Sequence, residues 1–162
     1  IKEGKFESKL PLESVQKNFL SDKNITYIEN QKIEIGGLKI LGSPYTAEFM
    51  DFAFQFPENT GNNKYKKLII DYKNDDIDIL ITHGPPKGIC DLSKSGQNCG
   101  DEELRKIIEQ IHPCLHIFGH IHEAHGHSHI GQTLCCNVAV VNEKRVVVNS
   151  PTYIDLIPNV KK

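Results

Sequence analysis

An α/β fold is what the sequence predicts, on three observations. Two apolar, strand-like runs, residues 77–81 and 115–118, lead straight into histidine–glycine segments, Thr82-His83-Gly84-Pro85-Pro86 and Gly119-His120-Ile121-His122. Between them, residues 101–111 place Leu104, Ile107, Ile108 and Ile111 at i, i+3, i+4 and i+7, the spacing of one helical face. Short alternating runs precede and follow this strand–helix–strand centre, and they dominate the C-terminal part.

Residues 1–12 are polar and without a clear period, and 14–19 suit a short helix. Residues 25–28 and 33–35 alternate like strands, separated by Glu29-Asn30-Gln31-Lys32. Gly36-Gly37 then turns the chain into 38–41, which reads as a three-stranded meander ended by Gly42-Ser43-Pro44-Tyr45. Residues 46–56 are rich in aromatic side chains and are expected as a short helix or irregular segment. Residues 57–63 have loop composition, and 65–72 read as a helix with Tyr65, Leu68, Ile69 and Tyr72 on one side.

Residues 84–100, rich in Gly, Pro and Ser, form a loop long enough to suggest a functional role. The helix that follows has Asp101, Glu102 and Glu103 at its positive N-terminal end and Pro113 beyond its last turn. After 115–118 comes a His-rich loop, then strand-like runs at 133–135, 138–141, 145–148 and 153–156. No internal repeat or linker divides the chain, so 162 residues read as one domain.

Composition narrows the function. With 38% hydrophobic and 25% charged residues the chain can build a core, and a net charge of −2 gives no footprint for nucleic acid. No apolar run is long enough to span a bilayer. The five cysteines are odd in number and form no CxxC pair, which fits a reduced, cytoplasmic protein; adjacent Cys135 and Cys136 could bridge only with strain, and a Cys90–Cys99 disulfide is the lesser alternative. Because the chain begins at Ile1 and no signal-like segment follows, the simplest expectation is a piece of a longer protein.

The histidines carry the chemistry. Neutral imidazole binds Zn, Mn and Fe, and histidines where strands end can meet at one edge of a sheet. His83, His120 and His122 are the candidate ligands. His112 and His116 suit surface or satisfied core positions, and His127 and His129 a solvated hairpin. His125 either lines a substrate cleft or faces water, and Glu123 either orients a ligand or is a plain exposed carboxylate. His122-Glu123-Ala124-His125 is not HExxH, so a zincin mechanism has no support.

Thr82-His83-Gly84-Pro85-Pro86-Lys87-Gly88 with Asp91 resembles the THGPPxGxxD segment of calcineurin-like metallophosphoesterases, and Phe118-Gly119-His120-Ile121-His122-Glu123 resembles their GHxH segment. Gly42-Ser43-Pro44 is similar to the GSP element of one branch, the metallophosphoesterase-domain proteins with cyclic nucleotide phosphodiesterase activity. The likeness runs from about residue 25 to 156.

The resemblance implies an αββα sandwich around two divalent metal ions (Mn, Zn or Fe). His83 and His120 would bind one ion and His122 the other, and a metal-bound hydroxide would attack a phosphodiester or phosphomonoester. The partners so implied are a small-molecule or nucleotide phosphoester and the N-terminal portion of the same domain. The family's DxH, GDxxD-like and GNH segments are absent from these 162 residues. Residues 1–162 are therefore expected to be the C-terminal portion of one metallophosphoesterase domain, carrying the histidine half of the site. Ala124-His125 stands where the branch commonly has Gly-Tyr, so its substrate preference is not carried over. The competing expectation is a non-catalytic binding or scaffold module derived from such an enzyme.

Overall fold

The computed structural model describes residues 25–48, 53–56 and 64–156. The expected helix at 14–19 and loop at 57–63 lie outside the described residues. A six-stranded mixed sheet organises the rest. Its strands are β1 (Gln31–Ile35), β2 (Leu38–Ser43), β5 (Ile79–Thr82), β6 (Leu115–Phe118), β7 (Gly126–Ile130) and β8 (Thr133–Asn137), in the spatial order β1-β2-β5-β6-β8-β7. The inner strands β2, β5, β6 and β8 are parallel, and β1 and β7 close the two edges antiparallel. Two helices, α1 (Lys64–Tyr72) and α2 (Glu102–Ile111), occupy the β2-to-β5 and β5-to-β6 connections. This is the mixed α/β architecture that the alternation of apolar runs and helical spacing predicts.

The hairpin turn is local chemistry. Ile35 pairs with Leu38, and Gly36 and Gly37 both have positive φ, 59° and 83°, as a two-residue turn with the twist of the flanking strands requires. Helix α2 begins where Asp101 accepts a hydrogen bond from the Leu104 amide at 2.7 Å, and it ends at His112 in the left-handed conformation. Its apolar stripe, Leu104, Ile107, Ile108 and Ile111, is buried.

The sheet's two faces differ in how they are covered. On the helix side Leu41, Leu80, Phe118 and Cys135 join Tyr65, Leu68 and the α2 stripe in one buried core. On the other side Ile79, Leu115 and Cys136 are buried, while Leu38, Ile40, Ile117, Leu134 and Val138 are only partly so, with Ile154 and Leu156 against them. Ile81 on that face keeps 38% of its surface exposed. Strand β5 is a nearly continuous apolar run, Ile79-Leu80-Ile81, because successive side chains supply both faces of the sheet.

Several local expectations change. Residues 25–28 pair with nothing and form no strand, so the meander has two strands. Ile28 instead lies across Gly42, where a Cβ would come within 2.5 Å of its Cγ1. Gly42 and Ser43 do not end the sheet; they continue β2 and pair with Ile81 and Thr82. In the 46–56 segment the described residues form β3 (Thr46–Ala47) and β4 (Gln55–Phe56), a two-stranded parallel pair, in place of a helix. Beyond Asn137 the expected strands reduce to one bridge, Val141 with Val147, around a turn that Asn142 holds through its side-chain oxygen. The His-rich segment is the reverse case, since residues 126–130 are strand β7.

All five cysteines are free, so the Cys90–Cys99 disulfide is not formed. Among the described residues no helix is long and apolar enough to cross a membrane.

Gly100 is fixed by sterics: a Cβ there would sit 2.5 Å from the Pro86 carbonyl carbon and 2.7 Å from the Lys87 nitrogen. Gly100→Ala is expected to lower stability by about 1–3 kcal/mol in urea denaturation, as overpacking against backbone does. Gly119→Ala, with no atom within 4 Å of the added carbon, is expected to stay within about 0.5 kcal/mol of the parent.

Candidate metal centre

The parallel strands deliver the histidines. β5 ends at Thr82 and β6 at Phe118, so His83 and the 119–122 segment leave the same edge of the sheet, the carboxyl edge where open α/β sheets place ligands. The Gly119 amide donates to the His83 carbonyl at 3.1 Å, which ties the two exits together. The imidazoles then meet: His83 Nε2 lies 3.0 Å from His120 Nδ1, with ring centroids 4.6 Å apart. Gly84 lies beneath the pair, where a Cβ would make ordinary contact with His120 at 3.7 Å and a tight one with Thr46 Oγ1 at 3.3 Å. His120 is held at φ 70°, a left-handed conformation that costs a non-glycine residue energy and recurs at functional sites.

His122 opens a short 3-10 turn (His122–Ala124), and its Nδ1–H donates to the Asn142 carbonyl at 3.0 Å. A carbonyl only accepts, so the proton of the neutral ring sits on Nδ1 and Nε2 is left as a lone-pair donor. His125 is held the same way, with Nδ1–H donating to the Ala139 carbonyl at 3.0 Å. This is how metal-ligating histidines are commonly oriented, by a backbone acceptor behind the ring. The neighbouring imidazoles are biased towards the neutral form that ligation requires. Burial on the protein side, then the field of His122, lowers the pKa of His83, and burial followed by His83 and His122 lowers that of His120.

These donors fit a divalent transition metal. Two nitrogens 3.0 Å apart are spaced as adjacent ligands of one ion with bonds of about 2.1 Å. Among the described residues no three His, Cys, Asp or Glu side chains converge as a metal site. The geometry thus assembles a pair, His83 with His120, and presents His122 separately. Glu123 does not orient a histidine, because its carboxylate accepts from the Lys94 amide at 2.6 Å and so anchors the long loop. His127 and His129 are exposed on strand β7, away from this pairing.

Buried polar residues behind the site were not singled out by sequence reasoning. His116 is fully buried, and its Nε2 lies 2.8 Å from Thr82 Oγ1. The Thr82 hydroxyl donates to the Gly84 carbonyl at 2.8 Å, so it must accept from His116 Nε2–H. The chain His116→Thr82→Gly84 therefore pins the backbone on both sides of His83. Asn137, 1% exposed, donates to the Ile121 carbonyl at 2.8 Å and the Cys90 carbonyl at 3.1 Å, and accepts from the Ala139 amide at 3.1 Å. Asp91 receives the Gly88 and Gly100 amides at 2.9 and 2.8 Å and staples the 84–100 loop. A single polar residue at a strand end carries no periodic signal; of these, only Thr82 and Asp91 stood inside a recognisable motif.

Burial pushes the His116 pKa down to about 3 from an ordinary 6.5. The unfolded chain takes up that proton below pH 6.5 and the folded one does not, so the stability His116 contributes is complete above 6.5 and drains as pH falls towards 3. In this window the loss is at most about 1.4 kcal/mol per pH unit. His116→Gln keeps a donor for Thr82 and is expected to flatten the difference between urea midpoints at pH 7.5 and 5. An unchanged pH slope in the variant would show that other groups set it.

Comparison with known proteins shows the family. Residues 16–152 match the family model described as Metallophosphoesterase, calcineurin superfamily. The chain is 36% identical over 135 residues to the human Metallophosphoesterase domain-containing protein 1, covering 82% of this chain and 40% of that protein. It is 32% identical over 153 residues to a UPF0046 protein of Caenorhabditis elegans, covering 86% of this chain and 37% of that one. One solved crystal structure superposes with a TM-score of 0.59 at 20% identity, over 79% of this chain and 51% of its own, which supports the fold. The chain thus spans about 40% of the length of these curated relatives. By its motifs, its fold and the match over most of its length, the chain belongs to the metallophosphoesterases of the calcineurin superfamily.

Proposed function

We propose that residues 1–162 are the C-terminal portion of one metallophosphoesterase domain, and that the complete domain hydrolyses a small-molecule or nucleotide phosphoester at a dinuclear metal site. The observation that carries this reading is the meeting of His83 Nε2 and His120 Nδ1 at 3.0 Å on the carboxyl edge of the sheet. His83 and His120 would hold one divalent ion (Mn, Zn or Fe) and His122 a second. When bound, such ions polarise the phosphoryl group and lower the pKa of water enough for hydrolysis near neutral pH.

The chain's own residues prepare this chemistry. Thr82 and His116 fix the backbone beside His83, and Asn137 fixes that beside His122. His122 and His125 each have Nδ1 committed to a carbonyl, which leaves Nε2 for a ligand or a substrate oxygen. Two features support the other half of the domain as partner. No carboxylate joins the histidine pair among the described residues, and the sheet face bearing Ile79, Ile81 and Ile117 is only partly covered, as the inner face of a sandwich is before its second sheet packs on it. Five free thiols suit a reducing compartment, and we place the protein in the cytoplasm.

Calorimetric titration of the 162-residue chain with Mn²⁺ or Zn²⁺ is expected to show weak binding, lost in His83→Ala and in His120→Ala and largely kept in His122→Ala. Turnover of bis-p-nitrophenyl phosphate is expected to be negligible without the rest of the domain. Robust turnover by the pure chain with Mn²⁺ would sink the half-site reading. Metal affinity unchanged in His120→Ala would favour the non-catalytic module.

A further inference from the structure

Most of the chain's imidazoles are committed within the fold. His83 and His120 face each other, His116 serves Thr82, and His122 and His125 are each tied to a backbone carbonyl. His127 and His129 differ. Both are exposed, and among the described residues neither ring has a hydrogen bond, an ion pair or a ring contact. Sequence composition suits them to a solvated hairpin, but they belong to the regular strand β7, which fixes how they stand to each other. Side chains two apart on a strand share a face, so His127 and His129 stand side by side, with Ser128 turned the other way.

The register gives the face. His127 pairs with Cys136 and His129 with Leu134, and directly opposite residues point the same way. Cys136 and Leu134 belong to the side of the sheet away from the helices, whereas Ile130 of β7 is buried in the helix-side core. The ladder to β8 and the Ile130 anchor thus hold the two imidazoles on a firm base. Two Cα atoms at this spacing on a strand lie about 6.8 Å apart. From that base both rings can lean inward until one nitrogen of each is about 2.1 Å from a shared ion, with no change in the backbone. Among the described residues no third His, Cys, Asp or Glu converges there, so water completes the coordination.

We propose that His127 and His129 form a second metal site, a two-histidine chelate on edge strand β7 that takes a late first-row divalent cation. Imidazole nitrogens without a carboxylate select Cu²⁺, Ni²⁺ and Zn²⁺ over Mg²⁺ and Ca²⁺, with Cu²⁺ the tightest. The site is separate from the His83–His120 pair. β7 leaves the carboxyl edge beside Asn137 and runs back along the sheet, so His129, opposite Leu134, is about 10 Å from that edge. It uses no residue of the candidate metal centre and no substrate, and therefore stands or falls apart from the proposed function.

The test is amide-resolved NMR of the 162-residue chain titrated with Ni²⁺, a paramagnetic ion that does not oxidise the free thiols. Ni²⁺ is expected to bleach the amides of His127, Ser128 and His129 and of the opposite Leu134 and Cys136. The same bleaching is expected in the double variant His83→Ala/His120→Ala, which lacks the other pair. His127→Gln and His129→Gln should each weaken binding at β7 on the order of a hundredfold, because the second imidazole of a chelate joins intramolecularly. Both positions are exposed, so neither change threatens the fold. Ser128→Ala, on the other face, should leave the titration unchanged. The proposal is overturned if the β7 amides survive while others bleach, or if the effect disappears with His83 and His120. It is also overturned if either single Gln variant binds Ni²⁺ at β7 as the parent does, since one imidazole would then suffice.

Discussion

The structure depends on how four parallel strands end. β2, β5, β6 and β8 finish side by side, and loops must leave that edge without stranding backbone groups away from water. Buried polar side chains solve this, each linking the exit of one strand to that of another. His116 reaches Thr82, Thr82 reaches Gly84, and Asn137 spans Cys90, Ile121 and Ala139. Such bonds gain little each against water but cost much when broken in a buried place. The loops bearing His83, His120 and His122 are therefore held by the same atoms that terminate the sheet. The candidate metal centre is the outer surface of a solved packing problem.

Ser43 sits at the corresponding place on β2, level with Thr82 in the register, yet its hydroxyl finds no partner. The contrast separates two uses of one structural position. Thr82 spends its hydroxyl inside the protein, on His116 and Gly84, and so makes a rigid support. Ser43 spends none, beside a cavity that opens next to a histidine of the pair. Gly42 contributes by its lack of a side chain, letting Ile28 lie over the strand. Gly42, Ser43 and Pro44 thus line a cavity that His83 also borders.

Much of this was legible in the sequence where a physical period or a backbone requirement enforces it. The α2 stripe, the Gly36-Gly37 turn and the strand–histidine junctions at 82–83 and 118–120 follow from helical spacing, positive φ and apolar runs. Residues 25–28 and 138–156 were harder. Their alternation is genuine, but alternation records burial of one side, and Ile28, Val138, Ile154 and Leu156 achieve that by lying across the sheet without joining its ladder. His116 was harder still. As a lone histidine in an apolar strand it reads as a surface or satisfied core residue; it is a core residue whose Nδ1 has no hydrogen-bond partner, and only the register opposite Leu80 on β5 reveals that its Nε2 serves Thr82.

The two outer histidines show how far positioning extends beyond the sheet. His122 and His125 are oriented by the carbonyls of Asn142 and Ala139, both on the arm that follows β8. That arm holds itself by a few bonds: Val148 to Val140, Asn142 to Val146, and the Asn149 side chain to Ala139. Its apolar residues Val146, Val147 and Val148 are more than half exposed. His83 and His120, by contrast, rest on strands buried on the helix side. The supports are thus graded, with the His83–His120 pair set by the core and His122 and His125 each set by a lightly held arm. Segments with few buried apolar contacts open at lower free energy than core strands. Anything that covers the arm's valines would therefore stiffen His122 and His125 while leaving the His83–His120 pair as it is.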